Sequence, residues 1–211
     1  MSENNSHDDL YKAFLDELNY KVWSTKESRF NANKRLLKLS TTAIQCRKIL
    51  LIYSFAVSLL FVYNTFYGNF FNTNFLSSAI TFLLILLLVL GQIETTRDYH
   101  IKAEEFRTCG LELSSLYNAL LIFKTLIENQ PLENKKQFTH KLSESYQRIL
   151  TMHDNHEPID TYIFKSKTFE YHNLNWFDVQ VIKIKYYINT SLIFHLLIVF
   201  PPILFFILMK Q

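Results

Sequence analysis

From Ile49 to Ile93 the chain runs for 45 residues without an aspartate, glutamate, lysine or arginine. A helix needs about 20 apolar residues to cross the roughly 30 Å of bilayer hydrocarbon, so this run is two spans long and must fold back on itself. It divides at Tyr67-Gly68-Asn69-Phe70-Phe71-Asn72-Thr73-Asn74, where glycine and asparagine supply turn chemistry. The sequence predicts spans over residues 49–66 and 75–93, joined so tightly that they must be antiparallel neighbours. A third uncharged stretch of 24 residues runs from Tyr186 to Met209 and carries Pro201-Pro202. A proline pair removes two amide donors where lipid offers no substitute, so this span is expected to be kinked or half re-entrant.

The remaining composition narrows the field. Hydrophobic residues make up 49% of the chain and charged residues only 19%, below the usual quarter of a soluble domain. Three scattered glycines, Gly68, Gly91 and Gly110, are too few for a phosphate-cradling loop, which sets aside Rossmann and P-loop readings. Cys46 and Cys109 fit neither a zinc ribbon nor a disulfide scaffold. A net charge of +3, with basic and acidic residues interspersed, argues against direct nucleic-acid binding.

Basic residues near the span ends orient the chain. Arg29, Lys34, Arg35, Lys38, Arg47 and Lys48 precede the first span, and Arg97, Lys102 and Arg107 follow the second. The connecting loop has none, so the N-terminus and the central region are expected in the cytoplasm. Lys183 and Lys185 hold the start of the third span on that side, leaving Lys210 and Gln211 outside. The first apolar run begins too far along the chain for a cleaved signal peptide.

Leu10, Phe14, Leu18 and Val22 recur at helical spacing, with Asp8 or Asp9 placed to cap, and predict an amphipathic helix over residues 8–47. It bears Trp23, Lys26, Arg29, Phe30 and Arg35, a mixture that suits either a headgroup-level surface or a packing face with solvated lysines. After the second span, Tyr99, Phe106, Leu113, Leu120 and Ile127 repeat every seven residues. Ala103, Gly110 and Tyr117, or Cys109, Leu116 and Phe123, supply the second seam of a long helix expected to continue straight out of the second span. Pro131 ends it, and Phe138, Leu142, Tyr146 and Ile149 mark a returning antiparallel helix. Residues 151–173 lose clear periodicity, and 176–188 regain it. The expected fold is all-α: residues 1–47 a cytoplasmic amphipathic helix, 48–93 a transmembrane hairpin, 94–185 a cytoplasmic helical region, and 186–211 a third, C-terminal membrane segment.

Chemistry-bearing clusters are sparse. His153, His156 and Glu157 form a dense polar group, but zinc-binding histidines on a helix stand four apart with a third ligand, and Pro158 interrupts any helix here. The group reads as a turn with capping acids, and no metal or cofactor is expected. His195 is the only ionisable side chain of the third span, which makes it a candidate gating site or a structural hydrogen-bond donor. Ser54, Ser58 and Thr65 lie along the first span, and Ser77, Ser78 and Thr81 cluster at the outer end of the second. They are candidates for lining water in an oligomer or for close helix packing. No Gly-x-Ser-x-Gly elbow or defined acid–base pair is present, so the chain is not expected to be an enzyme.

The order of a basic aromatic helix, Trp23-x2-Lys26-x2-Arg29-Phe30-x-Ala32-x2-Arg35-Leu36, a tight two-span hairpin and a long following helix resembles the SLATT proteins, two-transmembrane effectors associated with bacterial nucleotide-signalling and conflict systems. Glu157-x-Ile159-Asp160 and the terminal span are similar to the subfamily found beside reverse transcriptases. The resemblance implies an inner-membrane effector of antiviral defence. It would self-associate and form a pore or disrupt the bilayer, by growth arrest or cell death, once a partner such as a reverse transcriptase or nucleotide-signalling enzyme senses infection. The residues themselves leave open a non-conducting membrane anchor that docks a cytoplasmic partner.

Overall fold

The computed structural model describes residues 2–68, 70–126 and 131–208, with the side chains of 2–10, 94–97, 132 and 208 left aside. Every regular element among them is helical: α1 Ser2–Tyr67, α2 Thr73–Arg97, α3 Tyr99–Leu126, α4 Leu132–Met152, α5 Pro158–Lys167, α6 Trp176–Tyr187 and α7 Ile193–Leu208. Three stretches are long and apolar enough to cross a membrane, Tyr11–Tyr67, Thr73–Ile93 and Trp176–Ile207.

Helix α1 is a single element of 66 residues and starts ahead of Asp8 and Asp9, which therefore do not precede it as caps. Its buried apolar positions Leu15, Leu18, Val22, Ala32, Leu36, Leu39, Ala43, Cys46 and Leu50 fall on an alternating three-and-four spacing. Four-residue steps drift around a helix by about 40° each, which is why the expected Phe14 is 46% exposed and Leu15 takes its place inside. The side chain of Leu10 lies outside the described set.

The chain forms two compact units. The first comprises residues up to Arg35 together with Ile101–Lys185. Its core gathers Leu15, Leu18 and Val22 of α1, Cys109, Leu113 and Leu120 of α3, and Leu142, Tyr146 and Ile149 of α4. The seven-residue repeat of α3 is buried as expected at Tyr99, Phe106, Leu113 and Leu120, while Ile127 lies outside the described residues. Phe123 stacks on Phe138 at 4.0 Å near one end of the α3–α4 pair, and His153 approaches Glu112 at 3.4 Å near the other, so the two are antiparallel.

The second unit comprises Leu36–His100 and the chain from Tyr186 onward. Leu76, Leu83 and Leu90 form the inner face of α2, and Cys46 of α1 donates to the Phe194 carbonyl of α7 at 3.6 Å. The hairpin turn is fixed by Asn64, which is fully buried. Its amide reaches both polar groups of one peptide residue, donating to the Phe71 carbonyl and accepting from the Phe71 amide, each at 2.9 Å. Asn72 caps α2 by accepting from the Asn74 and Phe75 amides.

Three expectations are corrected. The helix after the second span is not continuous with it, because Asp98 adopts a left-handed conformation at φ +40° and separates α2 from α3. Aspartate enters that region more readily than most residues, which is how a chain without glycine or proline there still breaks. Pro201-Pro202 do not interrupt α7, and the irregularity of the third span lies upstream in a π-helical turn over Ile188–Leu192. Pro158 opens a helix rather than breaking one, since proline at the first helical position gives up an amide that has no partner there anyway.

Candidate functional site

The polar residues of α1 that a surface helix would show to water are turned inward in the first unit. Ser28, Arg29, Asn31, Asn33 and Arg35 are all buried, with Arg29 at 0% exposure and Arg35 at 4%. Their partners come chiefly from the connection before α5 and from α5 itself. Arg35 grips Asp160 with two bonds, Nε to Oδ1 at 2.9 Å and Nη2 to Oδ2 at 3.1 Å. Its third nitrogen reaches Glu157 Oε1 at 2.9 Å. Asp160 is itself fully buried and accepts the Glu157 amide at 3.2 Å, so one carboxylate both caps α5 and anchors it to α1. Burial pushes the Asp160 carboxyl up against the opposing pull of Arg35. For Arg35, burial pulls down, while its bonds to Asp160 prevail and hold it above its usual value.

The same contact is widened on both sides. Asn31 donates to the Asp160 carbonyl at 3.1 Å and accepts from Lys167 at 2.6 Å. Burial, then the charge of Lys34, pulls Lys167 below its usual value. Asn33 donates to the Ala103 carbonyl of α3 at 2.8 Å. Ser28 donates to Thr161, whose hydroxyl lies 2.8 Å from His156 Nε2. Burial, followed by the charges of Arg29 and Arg35, lowers His156 to about 4, so its imidazole is neutral at pH 7.

The family-type residues of α1 make contacts within this unit, Arg29 and Arg35 buried and Trp23, Lys26 and Phe30 half-buried. Trp23 packs edge-on against Phe164 at 4.8 Å and Tyr171 at 5.6 Å. Lys26 sits over the Tyr117 ring at 4.5 Å, and Arg29 over Phe106 at 5.4 Å. Phe30 lies so close to Gly110 that a Cβ there would stand 2.9 Å from its ring, which explains the glycine inside α3.

In the second unit the candidate hydroxyls do not gather at one point. Ser54 is buried at 7% exposure, Ser58 is half-buried and Thr65 exposed. Ser58 donates to the Ser54 carbonyl, Thr65 to Phe61, Ser77 to Asn74 and Thr81 to Ser77, each within its own helix. Ser78 lines a cleft of about 430 Å³ among the three apolar helices, otherwise walled by residues such as Tyr53, Leu60, Phe75, Pro201 and Phe205. His195 is exposed and its Nδ1 lies 2.7 Å from the Tyr187 hydroxyl across the π-helical turn. His153 and His156 turn to different partners, Glu112 and Thr161.

Sequence reasoning missed Ser28, Asn31, Asn33, Asn64, Thr161 and Lys167. The three-and-four spacing carries a signal for the burial of Arg29 alone: Val22, Thr25, Arg29, Ala32 and Leu36 continue one seam, which places Arg29 at a core position.

A helical unit with an apolar core and a buried polar contact between α1 and α5, and an apolar three-helix unit in the same chain, define a membrane protein of the helical, multi-element kind. The chain belongs to the SMODS and SLOG-associating 2TM effector domain family 5, which it matches over residues 11–208. Neither curated proteins nor solved structures gave a match.

Proposed function

We propose that the chain is an inner-membrane effector of bacterial antiviral defence, with its N-terminus and central region in the cytoplasm. It self-associates and opens or disrupts the bilayer when a partner senses infection. That partner is a reverse transcriptase or a nucleotide-signalling enzyme. The observation that carries this reading is the sparse packing of the apolar helices: in each candidate span only 17% of the most apolar window is buried within one copy. The rest is free to meet lipid or further copies, and two or three spans cannot themselves enclose an aqueous path. Thr65 is exposed and Ser58 half-buried on the first span, and they supply hydroxyls to an oligomer.

A non-conducting anchor is the competing reading, favoured by the hydroxyls bonding to their own helices rather than pointing to a shared cavity. The two separate by experiment. Membrane potential is followed with a voltage-sensitive dye in bacteria during tightly induced expression, alone and with candidate partner and trigger. The wild type is compared with a Ser58→Leu/Thr65→Leu variant of equal abundance. Depolarisation lost in the variant supports conduction. Its absence under every condition, with function kept when an unrelated hairpin replaces residues 48–93, establishes the anchor.

A further inference from the structure

Arg29 is fully buried, as Asp160 is, but unlike Asp160 it has no ion-pair partner among the described residues. Its Nη2 reaches only Asn155 Oδ1 at 3.5 Å, the outer limit of a hydrogen bond, and its Nε and Nη1 have no acceptor. The neighbours give no anion bonded to it. Cys109 of α3 is a buried thiol pushed up by that burial, Phe106 offers a ring face, and Asp160 and Glu157 are both engaged by Arg35. Asp154 is exposed to water. Beside this guanidinium stands a second buried nitrogen without a partner, His156 Nδ1. Ser28 donates to Thr161, and in the tautomer whose Nε2 accepts the Thr161 hydrogen the imidazole proton lies on Nδ1.

The unmet atoms of Arg29 are both N–H donors, and His156 Nδ1 is a third in that tautomer. Buried charges in proteins are paired, and a fixed cation with unused donors costs several kcal/mol unless an anion meets it. Arg35 engages both Asp160 and Glu157, and Asp154, the other carboxylate whose charge acts on Arg29, does so from an exposed position. Chloride is spherical and makes no use of a guanidinium fork, and a carboxylate offers oxygens in one plane only. A tetrahedral oxyanion presents acceptors to both groups at once.

We propose that Arg29 and His156 form a binding site for a phosphate group. This inference stands apart from whether the chain conducts. The group comes either from a soluble phosphate or from a phospholipid headgroup. The test uses the full chain, delipidated in uncharged-headgroup micelles, with unfolding followed by temperature at constant ionic strength. Inorganic phosphate and short-chain phosphatidylglycerol are titrated separately against chloride. A saturable rise in Tm of about 5 °C is expected from one of them, absent in Arg29→Met and weakened about tenfold in affinity in Arg29→Lys. A response to inorganic phosphate identifies the soluble source, and a response to the lipid alone identifies the headgroup. Arg29→Met removes a buried charge rather than stranding one, so it is expected to fold, and Arg29→Lys keeps the charge while losing the fork. No shift in the wild type with either ligand, or an equal shift in Arg29→Met, overturns the proposal.

Discussion

Replacing Asp160 with alanine isolates the junction on which α5 depends. Asp160 and Arg35 are 0% and 4% exposed, so solvent screening does little to soften the loss. The substitution removes both bonds to Arg35 and the acceptor for the Glu157 amide, leaving Arg35 with Glu157, whose side chain is 59% exposed. Stranding one member of a buried pair costs about 3–5 kcal/mol, which for a chain of this size lowers Tm by roughly 6–20 °C. Replacing both members by apolar residues, Arg35→Met with Asp160→Leu, is expected to recover all but about 1–2 kcal/mol, since neither charge is then left alone. Unfolding is read in micelles by the fluorescence of Trp23, which packs on Phe164, in a background carrying Trp176→Phe at a position 73% exposed. A cost below about 1 kcal/mol for Asp160→Ala, or a double variant no better than the single, refutes the view of this pair as a coupled buried unit.

Three further outcomes are expected. Asn64→Ala removes three bonds from a buried turn and should destabilise the hairpin by about 2–3 kcal/mol, measured as accelerated proteolysis at residues 68–72 in micelles. His156 stays neutral down to about 4 in the folded chain, whereas an unfolded histidine takes its proton near 6.5. Its contribution is therefore complete above that range and lost as pH falls through it. The full shift would correspond to about 3 kcal/mol, reduced to roughly 1–2 by partial exposure, and His156→Gln should flatten the Tm profile between those pH values. Gly110→Ala should be near neutral, as gained helix propensity offsets the push on Phe30, while Gly110→Val should cost about 2 kcal/mol in thermal unfolding.

Much of this architecture was legible because hydrophobic length and period report directly on burial. The apolar runs gave the hairpin, and the seven-residue repeat of α3 with its antiparallel return emerged where expected. What escaped was polar and long-range. Arg35 and Asp160 stand 125 positions apart, and no local pattern distinguishes a lysine or arginine in water from one that meets a carboxylate in the interior. The break at Asp98 escaped for a related reason, since a left-handed residue other than glycine leaves no compositional mark. Residues 151–173 looked aperiodic because α5 is only ten residues long, too short for its pattern to stand out, and buries Asp160 and Ser166 as well as Ile159 and Phe164.

The inner stripe of α1 has a consequence for how this sequence can vary. Leu36, Ala43 and Leu50 recur every seven residues, with Leu39 and Cys46 between them, and all are buried, so one helical period times the burial of this part of the second unit. Deleting a single residue between Ala43 and Cys46 would offset Leu39 and Ala43 by about 100° from Cys46 and Leu50, which are buried in the same unit, however conservative the chemistry of the change. Length changes in this segment are therefore tolerated only in steps that restore phase, of about seven or eleven residues, whereas substitutions at its exposed positions are constrained far less.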